Sequence, residues 1–271
     1  MTDERDSRYL KIVLDPIRVC ASYKPKMGRG AEAGMSLDDF RALYAADPFY
    51  SWFGLDNPLM YAAHKAAGGM TSIYRQIGIG CERLFRVILQ DELQLTQDDV
   101  CWSYSVTGAN KKVRTLTLDG RIPLDAIKDT VKRTRVTDWM SACSEDLQID
   151  KKIAAQLTGP VFEVRQGYKS KDSKRQNADI ANAATAYTQA YLPCVMVLST
   201  QIDSDIVIRY RAEKWVILTG QMKGANTLTS SYSFMKEVIG YDLADFFSRH
   251  SKTLCSEIDG VLAALLTPEK S

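Results

Sequence analysis

The chain has few of the residues that mark several large enzyme classes. It contains two histidines, His64 and His250, far apart, and six cysteines (Cys20, Cys81, Cys101, Cys143, Cys194 and Cys255) without any CxxC pair. Zinc sites need clustered His and Cys ligands, so zinc chemistry is not expected. Cysteines scattered through a chain of this size read as reduced thiols of a cytoplasmic protein. There is no Walker loop or GxGxxG, and "GAEAG" at 30–34 fits neither pattern, so no nucleotide cofactor is expected. The absence of GxSxG argues against a serine hydrolase of the elbow type. The most apolar run, "LPCVMVL" at 192–198, is far too short to cross a bilayer, and no membrane partner is expected. The opening "MTDERDSRYLK" has no apolar stretch behind it, so a secretory signal is not expected either. An enzyme made from what remains would work with carboxylates, basic side chains and a hard metal ion.

What is present is ordinary in bulk. Hydrophobic residues make up 45% and charged residues 25% of 271, enough for a sizeable core. A net charge of +2 neither demands nor forbids a polyanionic partner, because local clustering matters more than the sum. No internal repeat or low-complexity linker interrupts the chain. The economical picture is one domain over 1–271: a core at about 71–220, a helical N-terminal extension at 1–70 and a C-terminal helical segment at 221–271.

Ser36 and Asp39 form a capping pattern ahead of a helix, and the aromatics of "DPFYSWFGLDNP" read as core. Residues 71–95 carry apolar side chains at 73, 77, 81, 84, 85, 88 and 89, which is helical spacing, with Glu82 and Arg86 one turn apart. Gly78 and Gly80 weaken that helix or admit a close neighbour. "VCWSY" and "VRTLTLDG", joined by "TGANKK", read as a β-hairpin ending at Asp119. Two helices over 123–157 follow, including the basic "KDTVKRTR". "GPVFEVRQGY" is the next strand, with Glu163 and Arg165 on the face opposite Phe162 and Val164. A helix capped by Asn177, with Ile180, Ala184, Tyr187 and Tyr191 along one side, leads into the apolar strand "LPCVMVLST". "DSDIVIRYRAEK" reads as helix, "WVILTG" as a strand, and Leu254, Ile258, Val261, Leu262 and Leu265 as the stripe of a last amphipathic helix.

The middle of the chain therefore reads helix, strand, strand, strand, helix, strand. If the second and third strands are neighbours, Asp119 and Glu163 converge at one edge. Two carboxylates that close repel each other unless a cation lies between them, and Mg²⁺ suits such a pair. With Glu82, Asp119, "EVR" and the basic loop that follows, residues 71–200 resemble a type II restriction endonuclease of the PD-(D/E)xK superfamily. The resemblance implies a mixed α/β core with a central sheet of about four to five strands flanked by helices. It also implies Mg²⁺ held by Asp119 and Glu163, with Glu82 and Arg165 completing the catalytic set. Leu118 stands where that family has Pro, and Arg165 where it has Lys. Arg orients water or phosphate but is a poor base. Were the strand to stay extended, Lys169 would lie roughly 20 Å beyond Glu163, so it approaches only if Gly167 turns the chain.

The expected partner is double-stranded DNA, cut at a short site by a homodimer, since two strands must be cleaved. Phosphate and base contacts are expected from Lys24, Lys26 and Arg29 and from Lys169, Lys171, Ser173, Lys174, Arg175, Gln176 and Asn177, with further cations at 128–135. Two other readings stay open: a DNA-binding protein that does not cleave, or a structure-specific nuclease on the same fold. A third is a partner-binding protein whose basic loops are merely solvated.

Overall fold

Helix starts in this chain follow local side-chain chemistry. The Ser36 hydroxyl accepts the Asp39 N–H at 3.1 Å while the Asp39 carboxylate accepts the Ser36 N–H at 3.4 Å, the reciprocal cap expected there. Thr96 and Asp99 repeat the arrangement. Asp47, Asp129, Asp150 and Asp203 each cap a further helix. The computed structural model describes residues 2–26, 34–107, 113–168 and 173–267. In chain order it contains α1 (Thr2–Arg18), α2 (Leu37–Ala45), α3 (Pro48–Trp52), α4 (Pro58–Leu93), α5 (Gln97–Val100), β1 (Trp102–Thr107), β2 (Val113–Leu118) and β3 (Gly120–Arg121). These are followed by α6 (Thr130–Asp146), α7 (Lys151–Ala154), β4 (Gly159–Arg165), α8 (Ser173–Thr188), β5 (Tyr191–Val197), α9 (Ser204–Ala212) and β6 (Val216–Leu218). Last come α10 (Ser231–Ser233), α11 (Leu243–Arg249) and α12 (Ser251–Leu266), with a π-helical turn at Phe234–Ile239.

The chain divides into two compact units, residues 1–80 with 248–271 and residues 81–247. The first is helical. Tyr9, Val13 and Ile17 of α1 are buried, as are Val261 and Leu265 of α12, and a bidentate pair joins Arg18 to Glu257 at 2.5 and 2.9 Å. Of the α12 stripe, Leu254, Ile258 and Leu262 are only half-buried. Gly80 explains its own presence in α4: a Cβ there would lie 2.9 Å from the Val13 carbonyl oxygen, so the helix admits a close backbone neighbour. Phe40 packs on Tyr44 and Tyr61, with centroids 4.2 and 5.5 Å away. The aromatics of α3 depart from expectation. Phe49 and Trp52 are 58% and 81% exposed, and Phe53 just beyond the helix 67%, because Pro48 starts a helix too short to lay all its faces against the core.

The second unit is built on a mixed sheet ordered β3-β4-β5-β6, with a separate antiparallel hairpin of β1 and β2. β3 runs antiparallel to β4, while β5 and β6 continue parallel to it. The protein is thus a mixed α/β chain. The expected strands and helices appear in order, but the second expected strand, β2, pairs in the hairpin and not with β4; the short, unexpected β3 that follows Asp119 makes that pairing instead. The sheet is covered on both faces. On one, Phe162 lies between Phe85 at 5.0 Å and Phe234 at 5.5 Å, with Trp139 at 6.3 Å. On the other, Val195, Val197 and Ile217 pack with Ala183, Ile206, Tyr210 and Trp215. Parallel register sets Glu163 beside Val195 and Arg165 beside Val197, so both charged side chains belong to the face covered by α8 and α9.

The β3–β4 pairing depends on a missing side chain. A Cβ on Gly159 would lie 2.0 Å from the Ile122 carbonyl oxygen, a backbone atom that cannot swing aside. Gly159→Ala is expected to cost about 1–3 kcal/mol through forced separation of the two segments. A shift of the urea midpoint is the measurement; an unchanged midpoint would mean that the strands part without strain.

Candidate active site

Three short segments bring charged side chains together in the second unit. α4 supplies Glu82 and Arg86, the break between β2 and β3 supplies Asp119, and the end of β4 supplies Glu163 and Arg165. The antiparallel register aligns Gly120 with Phe162, which puts Asp119 next to Glu163. Backbone bonds lock that alignment. The Asp119 N–H donates to the Phe162 carbonyl at 2.8 Å, and the Val164 N–H donates to Asp119 Oδ2 at 2.8 Å. Arg86 Nη1 donates to the Asp119 carbonyl at 2.9 Å and pairs with Glu82 Oε1 at 2.6 Å. Glu82 therefore joins the cluster through Arg86, and the helical pair read from its spacing is present.

Glu163 is not a solvated residue on an outer strand face, since α8 covers that face and leaves it 8% exposed. Arg165 Nη2 forms an ion pair with Glu163 Oε1 and reaches Asp179 Oδ1 at 3.6 Å. Asp179, in the second turn of α8, is as buried as Glu163 and was missing from the sequence-based set. A small-residue helix carrying one inward acid was its only signal, and the expected Asn177 cap drew attention elsewhere. The helix begins earlier, at Ser173, and its buried side is Asp179, Asn182, Ala183 and Ala186, not the expected Ile180, Ala184, Tyr187 and Tyr191.

Among the described residues, four carboxylates (Glu82, Asp119, Glu163 and Asp179) thus interact with two guanidiniums, Arg86 and Arg165. Burial and then the Glu82 charge push the Asp119 carboxyl up to about 6, against the pull of the Val164 N–H and the two arginines. Burial and the Asp119 charge hold Glu163 well above the usual carboxylate range despite its ion pair with Arg165. Asp119 and Glu163 titrate as a pair, retaining a proton that separated carboxylates would release. Among the described residues, no three His, Cys, Asp or Glu side chains have the spacing of a formed metal site.

The expected DNA-contacting residues are dispersed. Lys24 and Lys26 are exposed and belong to the first unit, whereas the carboxylates belong to the second. Arg29, Lys169 and Lys171 lie outside the described residues. β4 ends at Arg165 and the chain bends at Gln166, ahead of a bridge between Tyr168 and Ile202. Ser173, Lys174, Arg175 and Gln176 form the first turn of α8, described in backbone only. Asn177 is exposed, and its Oδ1 accepts from Arg209 Nη2 at 2.6 Å. In the basic segment at 128–135, three cations bond to carbonyls of this chain: Lys132 to Glu92, Arg133 to Ile127 at 3.0 Å and Arg135 to Glu237 at 3.3 Å.

The surplus of buried negative charge has a measurable consequence for the metal-free chain. Between the ordinary carboxylate value of 3.8 and about 6, the folded state holds a proton on Asp119 that the unfolded chain has lost. Stability contributed by that proton is therefore complete at low pH and disappears as pH rises through about 6. Asp119→Asn keeps an acceptor for Val164 and removes the charge. In EDTA at pH 8 it is expected to unfold later than the parent by on the order of 1–2 kcal/mol, and the gain should vanish near pH 4. A variant that is less stable at pH 8 would show that the surplus charge is compensated.

No protein-family model, curated protein or solved structure matches this chain.

Proposed function

We propose that the protein is a Mg²⁺-dependent endonuclease of the type II restriction class, hydrolysing phosphodiester bonds of double-stranded DNA at a short site. The observation that carries this reading is the convergence of Asp119 and Glu163 across the β3–β4 ladder, with Glu82 arriving from the preceding helix. The order α4, β1, β2, β4, α8, β5 supports it as the order of the resembled nuclease core. The donors are hard oxygens with more negative charge than their arginines neutralise, which suits a divalent cation that takes carboxylates, water and phosphate oxygens together.

Asp119 and Glu163 would hold the ion. Once bound, Mg²⁺ would polarise the phosphoryl group and acidify an attacking water. The remaining work falls to the chain. Val164 and Arg86 fix Asp119 by its carboxylate and its carbonyl, so the acid does not turn away from Glu163. Arg165 offers positive charge and hydrogen-bond donors to a phosphate but no base, so proton removal is left to a carboxylate or to solvent. The buried Arg165–Glu163 ion pair also favours the second reading, a DNA-binding protein that does not cleave, because a guanidinium already occupies that carboxylate.

A single assay separates the two. Plasmid of known sequence is incubated with the protein in Mg²⁺ or in EDTA. Discrete Mg²⁺-dependent fragments are expected, with Glu163→Ala slowing their appearance by on the order of 10²–10³-fold. Intact plasmid together with salt-sensitive gel retardation would give the case to the non-cleaving binder. Neither fragments nor retardation would remove DNA from the account.

A further inference from the structure

Behind the carboxylate cluster lies a second polar group that the reaction outlined above does not use. Tyr168 follows β4, Asp179 lies in α8 and Tyr210 lies in α9, and all three are buried. Tyr168 OH donates to Asp179 Oδ2 at 3.0 Å, Tyr210 OH donates to the same oxygen at 2.6 Å, and the two hydroxyls are 2.8 Å apart. Two hydroxyl protons thus serve three contacts, all gathered on one side of one carboxylate. The other oxygen, Oδ1, is left for Arg165 Nη2 at 3.6 Å. The Arg165 guanidinium also lies 5.7 Å from the centre of the Tyr168 ring, within cation–π range. Arg165 Nε is buried without a hydrogen-bond partner, so the group is held by its terminal nitrogens and not by its stem.

The anchor is stiff for identifiable reasons. The Tyr168 N–H donates to the Gln201 carbonyl at 2.8 Å, and the Tyr168 carbonyl accepts the Asp203 N–H at 3.1 Å. The Tyr210 ring stacks on Trp215 with centroids 5.6 Å apart. An acid that needed only hydrogen-bond donors in a core would be satisfied by two hydroxyls. Here its free oxygen is aimed at the guanidinium that pairs with Glu163.

We propose that Asp179, fixed by Tyr168 and Tyr210, is a positioning residue that holds the Arg165 guanidinium at Glu163. Arg165 is then a cation presented at that carboxylate. The catalytic consequence rests on the nuclease reading, whereas the positional part does not. Outer partners that orient a site residue are commonly worth 10–100-fold in activity. Asp179→Asn preserves shape and acceptors but removes the charge that faces Nη2.

The test compares the parent, Asp179→Asn, Arg165→Ala, the double variant and Tyr168→Phe/Tyr210→Phe. The expected result for Asp179→Asn is a fall in kcat of about 10–100-fold with KM for plasmid within about threefold and an unchanged melting temperature. In the double variant, loss of Asp179 should add nothing to loss of Arg165. The ¹⁵Nε–¹Hε NMR signal of Arg165, assigned by its disappearance in Arg165→Lys, should move or broaden in Asp179→Asn and in the tyrosine double variant. A signal that stays in place in both overturns the proposal, as does a double variant in which the two losses multiply. If Asp179→Asn does not fold, the tyrosine variant decides by the same readouts. A parent that never cuts DNA overturns the nuclease reading and the catalytic consequence, while the NMR arm still decides whether Asp179 positions Arg165.

Discussion

The ladder contact that sets Asp119 against Glu163 is the constraint on which the second unit depends. Two backbone pairings and one bond to a side chain fix it: Gly120 with Phe162, the Asp119 N–H with the Phe162 carbonyl, and the Val164 N–H with the Asp119 carboxylate. Peptide groups cannot be repositioned by changing a rotamer, so the two acids stay adjacent although their charges oppose it. The chain tolerates the repulsion because the same strands carry Phe162 and Val161 into an apolar interior on both faces. Hydrophobic burial of large side chains, each worth about 1.5–3 kcal/mol, outweighs one unfavourable electrostatic contact several times over. Carboxylates perturbed in this way cluster at functional sites and also occur in structural ion-pair networks.

Polarity is layered around this contact. Arg86 and Glu82 approach from α4, Arg165 lies along β4, and Asp179 closes the far side with two tyrosines behind it. Each layer is supported by a different element, so no single loop controls the arrangement. Arg86 shares its contacts between a carboxylate and a backbone carbonyl, and Arg165 bridges two carboxylates, which keeps both oriented and not merely nearby.

How far the sequence discloses this varies with the kind of interaction. Strands β4 and β5 are readable because alternation and uniform apolarity are local, period-two signals, and α4 because its stripe repeats at helical spacing. The capping pair at Ser36 and Asp39 is local as well. The neighbouring of Asp119 and Glu163 is legible only through the order of elements, since 43 residues lie between the two acids in the chain. Asp179 is hidden because nothing around it in the sequence distinguishes an inward acid from a solvated one; its partners Tyr168 and Tyr210 lie on other elements. The aromatics of α3 misled for the opposite reason: their hydrophobicity predicts burial, but a five-residue helix has too little surface to bury three rings. Of the cations at 128–135, Lys132, Arg133 and Arg135 bond to carbonyls of this chain, a use that composition does not record.

The division of the chain into units has a consequence for the way the protein is made. Residues 81–247 form an unbroken stretch, so every strand and both flanking layers of the carboxylate-bearing unit are available once that stretch has left the ribosome. The other unit combines residues 1–80 with residues 248–271, and Val261 and Leu265 are added only after the whole of 81–247 has been made. Until then residues 1–80 have an incomplete interior. Domains emerging from the ribosome fold as units at roughly 5–20 residues per second, so that interval lasts on the order of ten seconds or more. The half-made helical unit is therefore the stage at which this chain most needs protection from aggregation, while the unit bearing the acids can already be complete.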